Sequence, residues 1–112
     1  MNILKNSVDE TIVLDIEGRL DTTSYPQLEA YMGDLLKQGA TKIVLNLSSL
    51  DYISSSGLRV ILKTLKEIDQ KGGALYLCGL NDHIMEIFEV SGFTELFQIY
   101  STREEALNNI DS

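Results

Sequence analysis

The stretch Leu50-Asp-Tyr-Ile-Ser-Ser-Ser-Gly-Leu-Arg59 separates two segments of different hydrophobic periodicity. Residues 42–47, just before it, form an apolar run rich in branched side chains, at the length of a buried strand. After it, apolar residues recur at the i, i+3, i+4, i+7 spacing of an amphipathic helix, at Leu58, Ile61, Leu62, Leu65 and Ile68. The sequence therefore predicts that a strand passes into a helix at the three serines.

The three consecutive serines exceed what a helix start requires. One serine can accept a hydrogen bond from a backbone N–H of the first turn, which otherwise has no partner within the helix. The other hydroxyls are then free to hold or carry a negative group, which the positive end of a helix favours. An ordinary cap in a serine-rich loop is the alternative interpretation, and the spacing alone leaves both open.

Upstream of this stretch, the chain predicts an antiparallel hairpin. Ile3 and Leu4 form its first strand and residues 11–17 its second, with a turn at Asp9-Glu10. In the second strand Ile12, Leu14 and Ile16 alternate with Val13, Asp15 and Glu17, which predicts that only one face of the sheet is buried.

Four helices are predicted from capping residues and apolar stripes. The first starts at a Ser24–Gln27 capping box with Pro26 in its first turn, buries Leu28, Met32, Leu35 and Leu36, and ends at Gly39. The second follows the serines and ends at Gly72-Gly73. The third is capped by Asn81 and stopped by Gly92, and the fourth starts at a capping box over residues 101–104.

Strands that alternate with helices predict an α/β fold with a sheet that is parallel after the opening hairpin. With residues 74–78 as a further strand and 96–99 as a short edge strand, we expect a single domain over residues 1–112. It should contain a mixed, mostly parallel sheet of about 4–5 strands and about four flanking helices. Loops that follow parallel strands lie at one end of the sheet, so residues 18–24, 48–56 and 79–82 should meet there.

Composition argues against several functional classes. The net charge is −8, from 17 acidic and 9 dispersed basic residues, which makes a nucleic-acid partner a poor fit. No long apolar run or signal-peptide core is present, so we expect a soluble, cytoplasmic protein with no membrane partner. One cysteine, Cys78, and one histidine, His83, are too few for a zinc site.

Enzymatic chemistry is not indicated either. His83 opens a predicted helix, and the chain has neither a Gly-x-Ser-x-Gly elbow nor a Walker-type phosphate loop. Asp21 and Asp51 are candidates for a carboxylate pair or a magnesium site, although aspartates in turns more often accept backbone N–H groups. We therefore expect no catalytic residue, no metal and no cofactor.

Two motifs resemble the STAS-domain anti-sigma factor antagonist family of bacterial regulators. Residues 51–61, Asp-Tyr-Ile-Ser-Ser-Ser-Gly-Leu-Arg-Val-Ile, are similar to the family's phosphorylation segment, and Glu17-Gly-Arg-Leu-Asp21 is similar to its earlier Gly-x-Leu-Asp turn. The resemblance implies that Ser55 is the phosphoacceptor. The family often has Asp where this chain has Ser54, so Ser54 and Ser56 stay open as alternatives.

The resemblance also implies a function. The unphosphorylated protein would bind an anti-sigma factor that is itself a serine kinase of the histidine-kinase-like ATPase type, and so release a sigma factor for transcription. A metal-dependent phosphatase would reverse the modification. The partner-binding face would consist of Asp21, Thr22, Thr23, Ser55, Ser56, Gly57, Leu58 and Arg59. Two alternatives remain: an unphosphorylated STAS scaffold or transport-complex subunit, and a nucleotide-binding sensor.

Overall fold

A mixed sheet of six strands forms the centre of the fold in the computed structural model, which describes residues 1–110. The strands are β1 (Asn2–Val8), β2 (Thr11–Leu20), β3 (Lys42–Asn46), β4 (Leu50–Ile53), β5 (Ala74–Cys78) and β6 (Gln98–Tyr100). They lie in the order β1-β2-β3-β5-β6, and β4 pairs with β2 outside that path. The β1–β2 pair is antiparallel and the other pairs are parallel. The predicted α/β class and opening hairpin are confirmed.

Strand β4 is the element that the sequence prediction missed. It is paired with Gly18–Leu20, the last part of β2, beyond the region where β2 pairs with β3. Its buried residues, Leu50 and Ile53, are three apart, so the period-two alternation that announces a strand is absent. The predicted loop 48–56 therefore contains a strand, and the sheet has one strand more than the expected range.

The helices are α1 (Tyr25–Lys37), α2 (Ser55–Gln70), α3 (Asp82–Val90) and α4 (Arg103–Ile110). Apolar residues of α1, α2 and α3 share one large core with the face of the sheet that carries Leu14, Ile43 and Leu75. Within residues 1–110, no helix is long and apolar enough to span a membrane.

Helix α4 covers the opposite face of the sheet. Val13, Val44 and Cys78 are fully buried there and pack with Ala106 and Ile110 of α4. The expectation of one buried face was therefore wrong at Val13. The error arose because the amphipathic stripe of α4 shows that the helix packs somewhere but not on which surface.

Several other local predictions were accurate to within a residue or two. Asn81 caps α3 by accepting from the Ile84 N–H at 2.8 Å, and Gly72 ends α2 with a left-handed φ of 74°. The last capping box is Thr102 with Glu105 and not residues 101–104, since the Thr102 hydroxyl accepts from the Glu105 N–H at 3.2 Å. The edge strand starts at Gln98 because Phe97 turns into the core.

Candidate functional site

Three segments meet at the carboxyl end of the sheet, as their positions after strands predicted. The Ser54 N–H donates to the Leu20 carbonyl at 2.8 Å, and the Gly18 N–H donates to the Ser49 carbonyl at 3.0 Å. The Asn81 side-chain amide donates to the Leu50 carbonyl at 3.0 Å. These bonds fix the start of α2 against the end of β2 and the loop before α3.

The three serines have different roles. Ser54 is the N-cap of α2, and its hydroxyl oxygen accepts from the Gly57 N–H at 3.2 Å. Ser55 is the first residue of the helix and is exposed, whereas Ser56 is half-buried. Within residues 1–110, neither Ser55 nor Ser56 has a side-chain hydrogen bond. Ser55 is therefore the serine whose hydroxyl is both free and accessible.

Gly57 allows α2 to begin in close contact with β2 and β4. A Cβ at this position would lie 2.6 Å from Leu20 Cγ and 3.1 Å from Ile53 Cγ1. Gly57 is buried and Leu58 is only 7% exposed. These two residues therefore hold the first turn of α2 against the sheet, and their role in partner binding stays a prediction.

Asp21 organises the turn between β2 and α1. Its Oδ1 accepts from the Thr23 N–H at 3.0 Å, the Thr23 hydroxyl at 2.8 Å and the Ser24 N–H at 3.1 Å. The Thr23 bonds, with those from Ser24, lower the pKa of Asp21 to about 2. Thr22 and Thr23 are exposed on this turn.

The predicted Ser24–Gln27 capping box does not form. The Ser24 hydroxyl donates instead to the Arg19 carbonyl at 2.7 Å and accepts from the Asp21 N–H at 2.9 Å. These bonds close the turn on itself, so Ser24 is the N-cap of α1 by position but its side chain accepts no hydrogen bond from the first turn of the helix.

Arg19 and Tyr52 form a contact that sequence reasoning missed. The Arg19 guanidinium carbon lies 4.3 Å from the centre of the Tyr52 ring, and Arg19 Nε lies 3.7 Å from Asp21 Oδ2. The two residues are opposite one another in the β2–β4 register. The only sequence signal for this contact was the presence of Arg19 inside the Glu17–Asp21 motif. Its partner, Tyr52, could not be predicted because it lies on β4, which the sequence prediction missed.

Asp21 and Asp51 lie in different surroundings. Asp21 directs Oδ1 towards the backbone of its own turn, and Asp51 is exposed on β4. Among residues 1–110, no group of three or more metal-ligating side chains comes together. His83 is exposed in the first turn of α3.

The family model of the STAS domain matches residues 2–106, which is nearly the whole chain. The chain belongs to the STAS domain family. BtrV of Bordetella bronchiseptica, a protein named as an anti-sigma factor antagonist, is 38% identical over 106 residues, covering 95% of this chain and 91% of BtrV.

Two solved structures are similar over almost their full length. A Thermotoga maritima protein described as an anti-sigma factor antagonist superposes with a TM-score of 0.94 and 26% identity, covering 98% of this chain and 95% of that one. The phosphorylated form of the Bacillus cell fate determinant SpoIIAA superposes with a TM-score of 0.78 and 27% identity, covering 97% and 99%. Both confirm the fold class of this STAS domain.

Proposed function

We propose that this STAS domain is an anti-sigma factor antagonist whose binding is switched by phosphorylation of Ser55. In its unphosphorylated form it binds an anti-sigma factor and thereby releases a sigma factor for transcription, which places the complex in the cytoplasm. The relatives named as antagonists support the role, and the SpoIIAA structure in a phosphorylated form supports a switch of this kind. The observation that carries the proposal is the free, exposed Ser55 beside a separately capped helix start.

A phosphate on Ser55 changes the surface and not the fold. It adds a charge of about −1.5 to −2 at a helix N-terminus, where the aligned peptide dipoles favour anions. Ser54 supplies the cap, so modification of its neighbour leaves the Ser54–Gly57 hydrogen bond in place. Asp21 and Asp51, on segments joined at this end of the sheet, add to the local negative field. A partner that covers Ser55 would lose contact by repulsion and by the cost of removing water from the phosphate.

Arg59 is placed to hold that phosphate. It lies four residues after Ser55 on α2, so the two side chains project from neighbouring turns of the same helix. Arg59 is exposed and forms no ion pair with any of the described residues. Pairing with a guanidinium would keep the phosphate close to the surface that a partner covers.

The modifying enzymes are other proteins. We propose that the anti-sigma factor is a serine kinase of the histidine-kinase-like ATPase type and that a metal-dependent phosphatase removes the phosphate. The antagonist has no catalytic role of its own in this scheme. Its contribution is a rigid surface that carries one modifiable hydroxyl.

Phosphorylation is tested with a purified anti-sigma factor kinase from the same genome and ATP, followed by intact mass and fragment mapping. We expect the gain of one phosphate on Ser55, no gain in Ser55→Ala, and a retained gain in Ser56→Ala. Absence of any gain favours the unphosphorylated scaffold instead. A titration with labelled nucleotide, without kinase, tests the sensor alternative.

The surface switch is tested with Ser55→Asp. We expect weaker binding to the kinase than for wild type, with an unchanged far-UV circular dichroism spectrum, whereas Ser55→Ala keeps binding. A collapsed spectrum in Ser55→Asp would show that Ser55 maintains the fold and would contradict the surface switch.

A further inference from the structure

The outer side of α2 carries a row of basic residues that begins one turn after Ser55. Arg59, Lys63 and Lys66 are all exposed, and their i, i+4, i+7 spacing places them on one side of the helix. Leu62 lies between them and is half-buried. These four residues, which we call the α2 ridge, line a shallow cavity of about 340 Å³ together with Glu67.

The α2 ridge is basic, whereas the chain as a whole is acidic. The chain has a net charge of −8 and only 9 basic residues, three of which lie on this side of one helix. Lys63 is paired with Glu29 of α1 at 3.3 Å. Arg59 and Lys66 have no hydrogen bond or ion pair within residues 1–110. Two cations flanking an apolar side chain are therefore left without a partner.

We propose that the α2 ridge is a docking surface for an acidic, amphipathic segment of the anti-sigma factor. Carboxylates of that segment would pair with Arg59 and Lys66, and an apolar side chain would cover Leu62. This inference rests on the proposed function and deepens it by assigning the chemistry of the partner. Opposite charges across an interface fix its orientation and raise the association rate, which suits a surface of this composition.

The ridge also gives the switch a specific mechanism. Arg59 is within reach of both a phosphate on Ser55 and a carboxylate on the ridge. A phosphate that captures Arg59 removes one of the two unpaired cations from the docking surface. It also presents negative charge to an acidic segment. Modification of Ser55 would thus weaken binding along the ridge as well as at the serine.

Two other occupants fit the structure less well. An anionic membrane attracts basic amphipathic helices, but the ridge offers only one half-buried leucine to insert, while Leu58, Ile61 and Ile68 of α2 are held in the core. In a two-fold contact through this face, the basic ridge of one copy would lie against that of the other, so like charges would repel one another.

The test is the affinity for the anti-sigma factor kinase, with ADP so that Ser55 stays unmodified, over a series of salt concentrations. The ridge variant is Arg59→Glu with Lys66→Glu. The matched control is Lys5→Glu with Lys37→Glu, which changes the net charge equally at exposed positions outside α2. We expect the ridge variant to bind about tenfold more weakly than the control at low salt, with a smaller salt dependence.

The outcomes separate this inference from the proposed function. If wild type binds and the ridge variant binds as well as the control, the ridge assignment is wrong while the antagonist role stands. If wild type does not bind, both are overturned. Co-sedimentation with phosphatidylglycerol vesicles, or a dimer in analytical ultracentrifugation, that is lost only in the ridge variant would assign the ridge to a membrane or to a second copy and overturn the inference.

Discussion

Ser54 and Ser55 are identical residues next to one another, but the tertiary structure places their hydroxyls in different surroundings. The Ser54 hydroxyl is engaged with the Gly57 N–H, while that of Ser55 faces solvent. Asp and Ser are both among the preferred N-cap residues. The presence of serine where related proteins often have aspartate is therefore a change that keeps the cap. Ser55, and not Ser54, still carries the accessible hydroxyl.

Asp21 makes the turn before α1 sensitive to acid. Its folded-state pKa of about 2 lies below the ordinary value of 3.8, so the unfolded chain takes up the proton more readily. We expect the stability of wild type to fall as the pH drops from about 4 towards 2, and this part of the fall to be missing in Asp21→Asn. Thermal unfolding at a series of pH values measures the effect.

A matched variant and a direct titration check that assignment. Asp51→Asn also removes one carboxylate from this end of the sheet but should retain the acid-dependent loss, because Asp21 is intact in it. An NMR titration of the Asp21 carboxyl carbon with a midpoint near 4 would contradict the hydrogen-bonded turn.

At the scale of elements, the site depends on how the first turn of α2 packs against β2 and β4. Strand β4 extends the sheet along the second half of β2, and its Ile53 lies next to Leu20 of β2 beneath the first turn of α2. The helix can approach Leu20 and Ile53 closely only where it has no Cβ, which is the position of Gly57. The exposed serine is therefore presented by a tightly packed junction of three elements and not by a mobile loop.

The packing under α2 predicts opposite effects for two glycine substitutions in helices. Gly57→Ala places a methyl group 2.6 Å from Leu20 Cγ and should destabilise the fold by about 1–3 kcal/mol, since overpacking outweighs the better helix propensity of alanine. Gly33→Ala, in α1, meets no atom within 4 Å and should stabilise by about 0.5–1 kcal/mol. Urea unfolding measures both. Equal effects of the two substitutions would contradict the described junction.

At the scale of the whole molecule, helices on both sides of the sheet bury its central strands. Strand β5 lies between β3 and β6, and its last residue, Cys78, is fully buried in the cluster under α4. Burial, with a smaller effect of the negative charge of Asp15, raises the pKa of the Cys78 thiol to about 11. Thiolate chemistry at this position therefore requires the packing around Cys78 to open.

Cys78 therefore reports on any opening that exposes it, either detachment of α4 or unfolding of the chain. At pH 8 we expect native protein to react with a disulfide reagent such as DTNB at least about a thousandfold more slowly than the urea-unfolded chain, because the reactive thiolate forms only in open molecules. If global unfolding exposes the thiol, Gly57→Ala should react faster in proportion to its loss of stability, whereas detachment of α4 alone would leave its rate equal to that of wild type. Complete reaction of the native protein within minutes would show that α4 does not protect Cys78 from the reagent.

Much of the fold was predictable because its signals are local. The apolar stripe of α1, the Asn81 cap and the glycine at the end of α2 each depend on residues within a few positions of one another, and periodicity and capping act over that range. The meeting of three loops followed from the parallel order of the strands. Prediction failed at Ser24 because its hydroxyl bonds within the preceding turn, to Arg19 and Asp21, and it failed at β4 because that strand pairs with β2, which is distant in the chain.

The sequence by itself determined the α/β class, the order of the elements other than β4, the STAS resemblance and the serine-rich helix start, since these depend on short-range patterns. Only the tertiary structure decided that β4 pairs with β2, that α4 covers the second face, and that Ser55 is free while Ser54 is engaged. It also brought Arg19 onto Tyr52. The physical reason is that strand pairing, helix placement and solvent exposure depend on contacts between residues far apart in the chain. The periodicity of a short stretch of sequence carries no information about such contacts.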